Sequence, residues 1–126
     1  MELKFYYCKH CGKIIAIVKE TTVPTICCGE EMSELIPGSS DGPIEKHVPV
    51  IRVNGSLVTV TVGEKLHPMT NDHFIQWVEI TTDKGVARKY LEPGDTPEVH
   101  FTLCDGEKVC SIYAYCNKHK LFKATC

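Results

Sequence analysis

The chain has 126 residues, with 14 Lys and Arg against 16 Asp and Glu and a formal net charge of −2. This length suits one domain, or one domain with a small appendage held together by a metal. The mixed charges exclude the broad basic surface that binds nucleic acid or an anionic membrane.

The first residues, Met1-Glu2-Leu3-Lys4-Phe5, lack the apolar segment and the small-residue cleavage site of a signal peptide. No apolar run reaches the length of a membrane span. We therefore expect a cytoplasmic protein. In a reducing compartment, the eight cysteines indicate metal ligation in preference to a disulfide framework.

Residues 1–36 are predicted to form a first, small unit. Short β-like runs cover residues 5–7 and 14–18, between turn-forming glycine and proline residues. So few apolar residues cannot build an independent core, and a segment this short needs a metal or a partner chain. Residues 37–43, which read Pro-Gly-Ser-Ser-Asp-Gly-Pro, are predicted to be a linker.

Four cysteines of the first unit have the spacing of a metal site. Cys8-x2-Cys11 is followed, after fifteen residues, by the adjacent pair Cys27-Cys28. Four thiolates hold iron or zinc tetrahedrally, and the missing spacer in the second pair predicts a distorted tetrahedron. A zinc ion that only stabilises the fold is the alternative to iron. We expect His10, inside the first pair, to be an exposed loop residue and not a ligand.

From Ile44 onward, short strands separated by turn signals predict an antiparallel β-sandwich of immunoglobulin-like type. No segment has a sustained 3.6-residue apolar period, so helices should be short or absent. Asn54-Gly55 is the strongest short signal for a hairpin. The predicted strands are residues 47–53, 57–62, 74–81, 86–90, 99–103, 109–115 and 121–123.

Three cysteines of this segment are not assigned to a metal. Cys104 and Cys110 flank Asp105-Gly106, which is predicted to be a hairpin turn. The two cysteines could face each other across that hairpin, but in a reducing compartment we expect them to be small buried residues. Cys126 is expected to be a free thiol.

Three motifs bring further metal donors to strand ends and loops, where binding residues are usually placed. Cys116 and His119, three positions apart, form a workable chelate but are too few to hold a metal alone. The three histidines upstream are therefore expected to converge on them. His100, in the middle of an apolar strand, is expected to be structural. The motifs are Glu45-Lys46-His47-Val48-Pro49, His67-Pro68-Met69-Thr70-Asn71-Asp72-His73 and Cys116-Asn117-Lys118-His119.

In order and spacing, these motifs and the pattern that ends in Cys27-Cys28-Gly29-Glu30-Glu31-Met32 resemble the superoxide reductases. The resemblance is to the desulfoferrodoxin class in particular, and it covers nearly the whole chain. It implies two mononuclear iron sites, one held by the four cysteines. The other would have four equatorial histidines, an axial Cys116 thiolate and an open sixth position. Its implied equatorial ligands are His47, His67, His73 and His119.

The resemblance further implies that superoxide takes up one electron at the second site and leaves as hydrogen peroxide. Glu45 would occupy the sixth position of the oxidised centre, and Lys46 would lie near the open face. An ordinary solvated charge pair is the alternative for these two residues. The resemblance also implies a homodimer, held partly through the N-terminal units, and an external one-electron donor such as rubredoxin.

The implied organisation is a desulforedoxin-like tetracysteine iron domain (1–36), a linker (37–43) and an immunoglobulin-like superoxide reductase domain (44–126). Lys120 and Phe122 depart from the family pattern C-N-x-H-G-L-W, which has glycine and tryptophan there, so packing near the last ligand should differ. Two other functions are considered, a pure electron carrier and a zinc-ribbon interaction module joined to an adhesion domain. An open coordination position argues against the first. The second leaves the ordered histidines unexplained.

Overall fold

The computed structural model describes residues 2–39, 42 and 44–125, without the side chains of Ile44 and Glu45. This part of the chain is built from short antiparallel strands with a single helical turn. The prediction of an all-β protein is therefore confirmed. The chain divides into two compact units, Glu2–Ile36 (the first unit) and Pro37–Cys126 (the second unit). Cys126 and three linker residues lie outside the described residues, so what was predicted for them stays a prediction.

The first unit has two small sheets around a minimal core. Strands β1 (Phe5–Tyr7), β2 (Ile14–Ala16) and β5 (Ser33–Glu34) form one sheet in the order β2-β1-β5, and β3 (Ile26–Cys27) pairs with β4 (Glu30–Glu31). The second predicted strand is shorter than expected and ends before Val18, whose side chain is fully exposed. The buried apolar side chains of this unit are Phe5, Cys8, Met32 and Leu35. A core this small fits the expectation that the unit needs a metal.

The second unit is a sandwich of two antiparallel sheets. One sheet has the order β10-β7-β6 and the other the order β12-β11-β8-β9. The prediction of seven strands is confirmed for this unit, and a single turn of helix, α1 (Ile44–His47), precedes them. The strands are β6 (Pro49–Asn54), β7 (Leu57–Val62), β8 (Ile75–Thr82), β9 (Val86–Tyr90), β10 (Glu98–Thr102), β11 (Val109–Cys116) and β12 (Lys120–Thr125).

Alternate residues of the central strands fill the space between the two sheets. Strand β7 contributes valines, which alternate with outward-facing threonines, and its partner β10 adds a valine and a phenylalanine. Strands β8 and β11 of the facing sheet add isoleucine, valine and alanine side chains. Cys116, at the end of β11, belongs to this core and is completely buried. The core therefore holds this end of β11 rigidly.

The predicted hairpin at Asn54-Gly55 is confirmed, since Asn54 pairs with Leu57 across the turn.

Two expectations for this unit are wrong. The first strand begins at Pro49 and not at His47, because proline has no N–H for a sheet ladder and suits the first residue of a strand. Asp105-Gly106 does not close a hairpin. Strand β10 pairs with β7, whereas β11 pairs with β8 and β12, so the chain crosses from one sheet to the other.

The crossing also changes the environment of two cysteines. Cys104 and Cys110 are both exposed, contrary to the expectation that they are buried. Cys104 follows β10 on a turn that begins the crossing, and Cys110 points outward near the start of β11. They therefore do not face each other across a hairpin.

The described part of residues 37–43 packs on the second unit. The Gly38 N–H donates a hydrogen bond to the Leu121 carbonyl at 2.8 Å. Gly42 is buried, and an added Cβ there would lie 2.7 Å from Cβ and Cγ of His119. Within this unit, the segment before α1 thus reaches a predicted ligand.

Candidate metal centres

The four cysteines of the first unit come together as predicted, and we call this group the cysteine site. Their four sulfur atoms all lie within 4.8 Å of one another. The Cys11 and Cys27 sulfurs are 3.6 Å apart, and those of Cys27 and Cys28 are 4.0 Å apart. Sulfurs bound tetrahedrally at about 2.3 Å lie about 3.8 Å apart. The site therefore has the spacing of a tetrathiolate metal centre.

Backbone geometry explains how two consecutive cysteines can bind one metal. In an extended strand, neighbouring side chains point to opposite faces. Cys28 instead has a φ of 54°, in the left-handed region, and Gly29 follows with a φ of 75°. This turn brings the Cys28 sulfur to the same side as that of Cys27. The adjacent pair thus replaces the spaced pair of a zinc ribbon.

The electrostatics of the cysteine site favour a cation. The Cys11 N–H donates a hydrogen bond to the Cys8 sulfur and lowers the pKa of Cys8 to about 6. The pKa of Cys27 is raised to about 12, mainly because of its hydrogen bond with the Cys11 thiol. Cys8 therefore ionises more readily than Cys27, and negative charges on neighbouring sulfurs repel one another. A bound cation removes that repulsion.

The five donors predicted in the second unit also come together, and we call them the histidine site. His47 ends helix α1, His67 lies in the loop between β7 and β8, and His73 precedes β8. Cys116 ends β11, and His119 lies in the three-residue loop that joins β11 to β12. The residue that follows the turn in such hairpins is often left-handed, and Lys120, the first residue of β12, has a φ of 66°.

The four imidazoles form a closed circuit. Neighbouring ring centroids are 4.4 Å apart for His47 and His67, 4.8 Å for His67 and His73, 5.2 Å for His73 and His119, and 4.7 Å for His119 and His47. His47 and His73, across the circuit, are 6.3 Å apart. The four rings thus occupy the corners of a square.

The nitrogen atoms at these corners have the spacing of metal ligands. Nε2 of His47 lies 2.9 Å from Nε2 of His67 and 3.0 Å from Nδ1 of His119. Two nitrogens bound side by side to one metal at about 2.1 Å lie about 3.0 Å apart. Nε2 of His73 is buried and has no hydrogen-bond partner among the described residues. A bound metal would satisfy that nitrogen.

The donor atoms of His47, His67, His73 and Cys116 all lie within 4.8 Å of one another. His119 is not part of that group, although its Nδ1 lies 4.0 Å from the Cys116 sulfur. The described residues contain two groups of metal donors in all, this one and the cysteine site. His100 belongs to neither and is exposed, where it hydrogen-bonds Thr59 at 3.0 Å.

Burial favours the neutral forms of three donors of the histidine site. It lowers the pKa of His67 to about 4, despite the hydrogen bond between His67 Nδ1 and the Pro68 carbonyl. That bond assigns the Nδ1 proton and leaves Nε2 free to bind a metal. Burial also lowers the pKa of His73 and raises the pKa of Cys116. His67 and His73 are therefore available as neutral donors, whereas the Cys116 thiol needs a cation nearby in order to ionise.

The rings have close neighbours that the sequence did not reveal as functional. The Phe122 ring stacks on the His47 ring at a centroid distance of 4.5 Å. Gly42 is so close to His119 that a larger side chain there would collide with the ring. The sequence marks Phe122 only as a departure from the family pattern. Gly42 lies between Asp41 and Pro43 and reads as part of a linker.

Three further residues considered in the sequence analysis are Lys46, Glu45 and His10. Lys46 is half-buried in helix α1, and its charge contributes to lowering the pKa of His73, after burial and the charges of His119 and Lys118. The side chain of Glu45 lies outside the described residues. His10 is exposed and contacts the Glu30 carboxylate, as expected for a loop residue that is not a ligand.

Comparison with known proteins identifies the family of this chain. The family model described as Desulfoferrodoxin matches residues 39–125. The chain belongs to the desulfoferrodoxin family. The desulfoferrodoxin of Nitratidesulfovibrio vulgaris is 41% identical over 123 residues, which cover 98% of this chain and 96% of the relative. The desulfoferrodoxin homolog of Archaeoglobus fulgidus is 39% identical over 122 residues, 97% of this chain and 96% of the relative.

Solved structures of superoxide reductases have the same fold. The enzyme from Treponema pallidum has a TM-score of 0.83 and 33% identity, over 99% of this chain and 100% of that one. The superoxide reductase (1Fe-SOR) from Giardia intestinalis has a TM-score of 0.56 and 30% identity, over 65% of this chain and 97% of that one. The cysteine site and the histidine site fit the two iron sites of a desulfoferrodoxin. None of the helical segments in the described ranges has the length and hydropathy of a membrane span.

Proposed function

We propose that the protein is a superoxide reductase. It reduces superoxide by one electron to hydrogen peroxide at an iron held by the histidine site. The observation that carries the proposal is the square of four imidazoles next to a buried thiol. Five donors of this kind leave one position of a six-coordinate iron for a substrate, whereas an electron carrier has no use for such a position. The proposed ligands are His47, His67, His73, His119 and Cys116.

The chemistry consumes one superoxide anion, one electron and two protons, and yields one hydrogen peroxide. The iron, when bound, supplies the electron and the position at which superoxide docks. Cys116 donates electron density to the metal from inside the core, where water does not reach its sulfur. The imidazoles are uncharged donors that suit iron. Lys46 attracts the superoxide anion to the site.

Three further roles are part of the proposal. Glu45, two residues before His47, would supply a carboxylate to the iron in its oxidised state. The first unit is the desulforedoxin-like iron domain, supported by the tetrathiolate spacing of its sulfurs, and helps to hold a homodimer. A one-electron donor protein such as rubredoxin returns the histidine site to its reduced state.

The test combines stoichiometry with a ligand variant. Iron-loaded protein is mixed with superoxide in the presence of excess one-electron reductant, and both superoxide consumed and peroxide formed are measured. One peroxide per superoxide is the result expected of a reductase, and one peroxide per two superoxides, which indicates dismutation, would contradict the proposal.

Cys116→Ser should abolish this activity, because a hydroxyl is a far poorer ligand for this iron than a thiolate. The matched control is Cys104→Ser, which changes an exposed cysteine outside both groups of donors. The control should react at the wild-type rate. Superoxide decay at the wild-type rate in Cys116→Ser would show that the histidine site is not the site of reaction.

A further inference from the structure

Asn117 links the two loops that carry ligands of the histidine site. Its side-chain Oδ1 accepts a hydrogen bond from the Phe74 N–H at 2.9 Å, and its Nδ2 donates one to the Asp72 carbonyl at 3.0 Å. Its own N–H donates to the Phe74 carbonyl at 3.2 Å. Phe74 and Asp72 are the two neighbours of His73. Asn117 itself directly follows Cys116.

The chemistry of the two partners fixes the orientation of the Asn117 amide. A backbone N–H can only donate, so Oδ1 must face Phe74, and a carbonyl can only accept, so Nδ2 must face Asp72. Both halves of the amide are therefore used. A side chain with only one of these functions cannot make both bonds.

The bonds lie where the regular pairing of the sheet stops. Strands β8 and β11 pair as far as Cys116 and Ile75, with an irregularity between Tyr115 and Cys116. Beyond that point the two chains turn into separate loops, and the loop before β8 is closed on itself by the pairing of Thr70 with His73. Beyond the last pair of the ladder, the hydrogen bonds of Asn117 connect this closed loop to the segment between Cys116 and His119.

The other imidazoles have supports of their own, which do not involve Asn117. Phe122 stacks on His47, the Pro68 carbonyl accepts a hydrogen bond from His67, and Gly42 packs against His119. His73 is the ring whose buried Nε2 has no hydrogen-bond partner among the described residues. Its direction is set through the backbone on either side of it, and Asn117 binds both of those neighbouring residues.

We infer that Asn117 is a positioning residue that holds His73 in place relative to the Cys116 thiolate. Both halves of its amide bond to the backbone of residues 72 and 74, through which it acts. The inference rests on the proposed ligand set of the histidine site but not on superoxide as the substrate. It concerns metal binding, so it is tested without an activity measurement.

The test follows each imidazole separately. Full-length protein is loaded with zinc, a diamagnetic probe that takes imidazole and thiolate ligands, and nitrogen NMR of the histidine rings reports which ring nitrogen is metal-bound. The cysteine site contains no imidazole and does not contribute to these signals. Zinc is then withdrawn by a graded series of chelators, and the four ring signals are followed to obtain the relative affinity.

Three variants are compared with the wild type. Asn117→Leu removes both side-chain hydrogen bonds at similar volume, and Asn117→Asp keeps the acceptor for Phe74 but loses the donor to Asp72. Asn71→Leu is the matched control, because it changes an exposed asparagine two residues before His73. A double variant with His73→Ala tests whether Asn117 acts through His73.

Asn117→Leu should release the His73 ring selectively and lower zinc affinity about 10- to 100-fold, the usual effect of losing a group that orients a ligand. Asn117→Asp should fall between this variant and the wild type, and Asn71→Leu should match the wild type. In the His73→Ala background, Asn117→Leu should change affinity by less than about twofold, because the residue through which it acts is gone.

Four metal-bound rings in Asn117→Leu, with unchanged affinity, would overturn the inference. So would loss of all four rings together, which indicates general damage to the fold, or an equally large effect of Asn117→Leu in the His73→Ala background. If His73 binds no metal in the wild type, the proposed ligand set fails first, and Asn117 has no ligand to position.

Discussion

Gly42→Ala should weaken metal binding at the histidine site by pushing on a single ligand. The added Cβ would lie 2.7 Å from Cβ and Cγ of His119 and 3.1 Å from its Cδ2. Carbon atoms in contact normally lie about 3.5–4.0 Å apart, so the methyl group and the ring must separate by about 1 Å. The ring cannot absorb this by itself, because Cγ is bonded directly to Nδ1, the atom that faces His47 Nε2 at 3.0 Å.

The size of the effect follows from the cost of overpacking, which is about 1–3 kcal/mol. If the metal-bound state bears this cost in full, affinity for the metal falls about 5- to 150-fold, since about 1.4 kcal/mol corresponds to a factor of ten. If the backbone moves instead, the cost appears in the free energy of unfolding of the metal-free protein. Measuring both quantities shows how the cost is divided.

The assay is zinc affinity by chelator competition, followed on the His119 ring signals, together with urea unfolding of metal-free protein. Gly85→Ala is the matched control, because a Cβ at Gly85 meets no atom within 4 Å. We expect the control to bind zinc as the wild type does. Wild-type affinity in Gly42→Ala, with an unchanged His119 signal, would refute the reasoning that this glycine makes room for the ligand.

Three further predictions concern other residues. Cys28→Ser should remove the iron of the cysteine site and leave the iron of the histidine site, because the two sites share no ligand. Metal analysis that finds both irons lost would contradict this. Lys46→Ala should slow superoxide decay in pulse radiolysis by roughly tenfold at low salt and less at high salt, since a Debye length of about 10 Å at 0.1 M screens the charge. Equal rates at low salt would mean that Lys46 is only a surface charge. Lys120→Gly should raise the free energy of urea unfolding by up to about 1.5 kcal/mol. A left-handed φ costs a non-glycine residue about 1–2 kcal/mol, and the greater chain entropy of glycine offsets about 0.5–1 kcal/mol of the gain. Lower stability in this variant would show that Lys120 makes contacts worth more than its backbone strain.

The sequence predicts the strands well because strand and turn signals are local. Alternation of valine and threonine identifies β7, and Asn54-Gly55 identifies the hairpin before it, since both depend on a few neighbouring residues. The same local signals fail at Asp105-Gly106. A turn looks alike in sequence whether the chain returns to its own sheet or crosses to the other, so the exposure of Cys104 could not be predicted.

Contacts around the rings are harder to predict because they join distant parts of the chain. Gly42 and His119 are far apart in sequence, and nothing in the local pattern distinguishes a glycine that makes room for a ligand from a glycine in a linker. Asn117 belongs to a recognisable motif, but its role depends on the carbonyl and amide of two residues more than forty positions away. A single sequence does not contain that information.

The proposed ligands of the histidine site come from parts of the fold that differ in rigidity. Cys116 ends a central strand and is completely buried in the core between the sheets, so its sulfur has little freedom to move. His67, His73 and His119 lie in loops, each with a separate support in the surrounding structure. Because each imidazole has its own support, a substitution can shift one ring and leave the other three in place. A change at Cys116, by contrast, must disturb the core. Variants of the supports should therefore be graded in their effect on the metal, and substitution of Cys116 itself should be all-or-none.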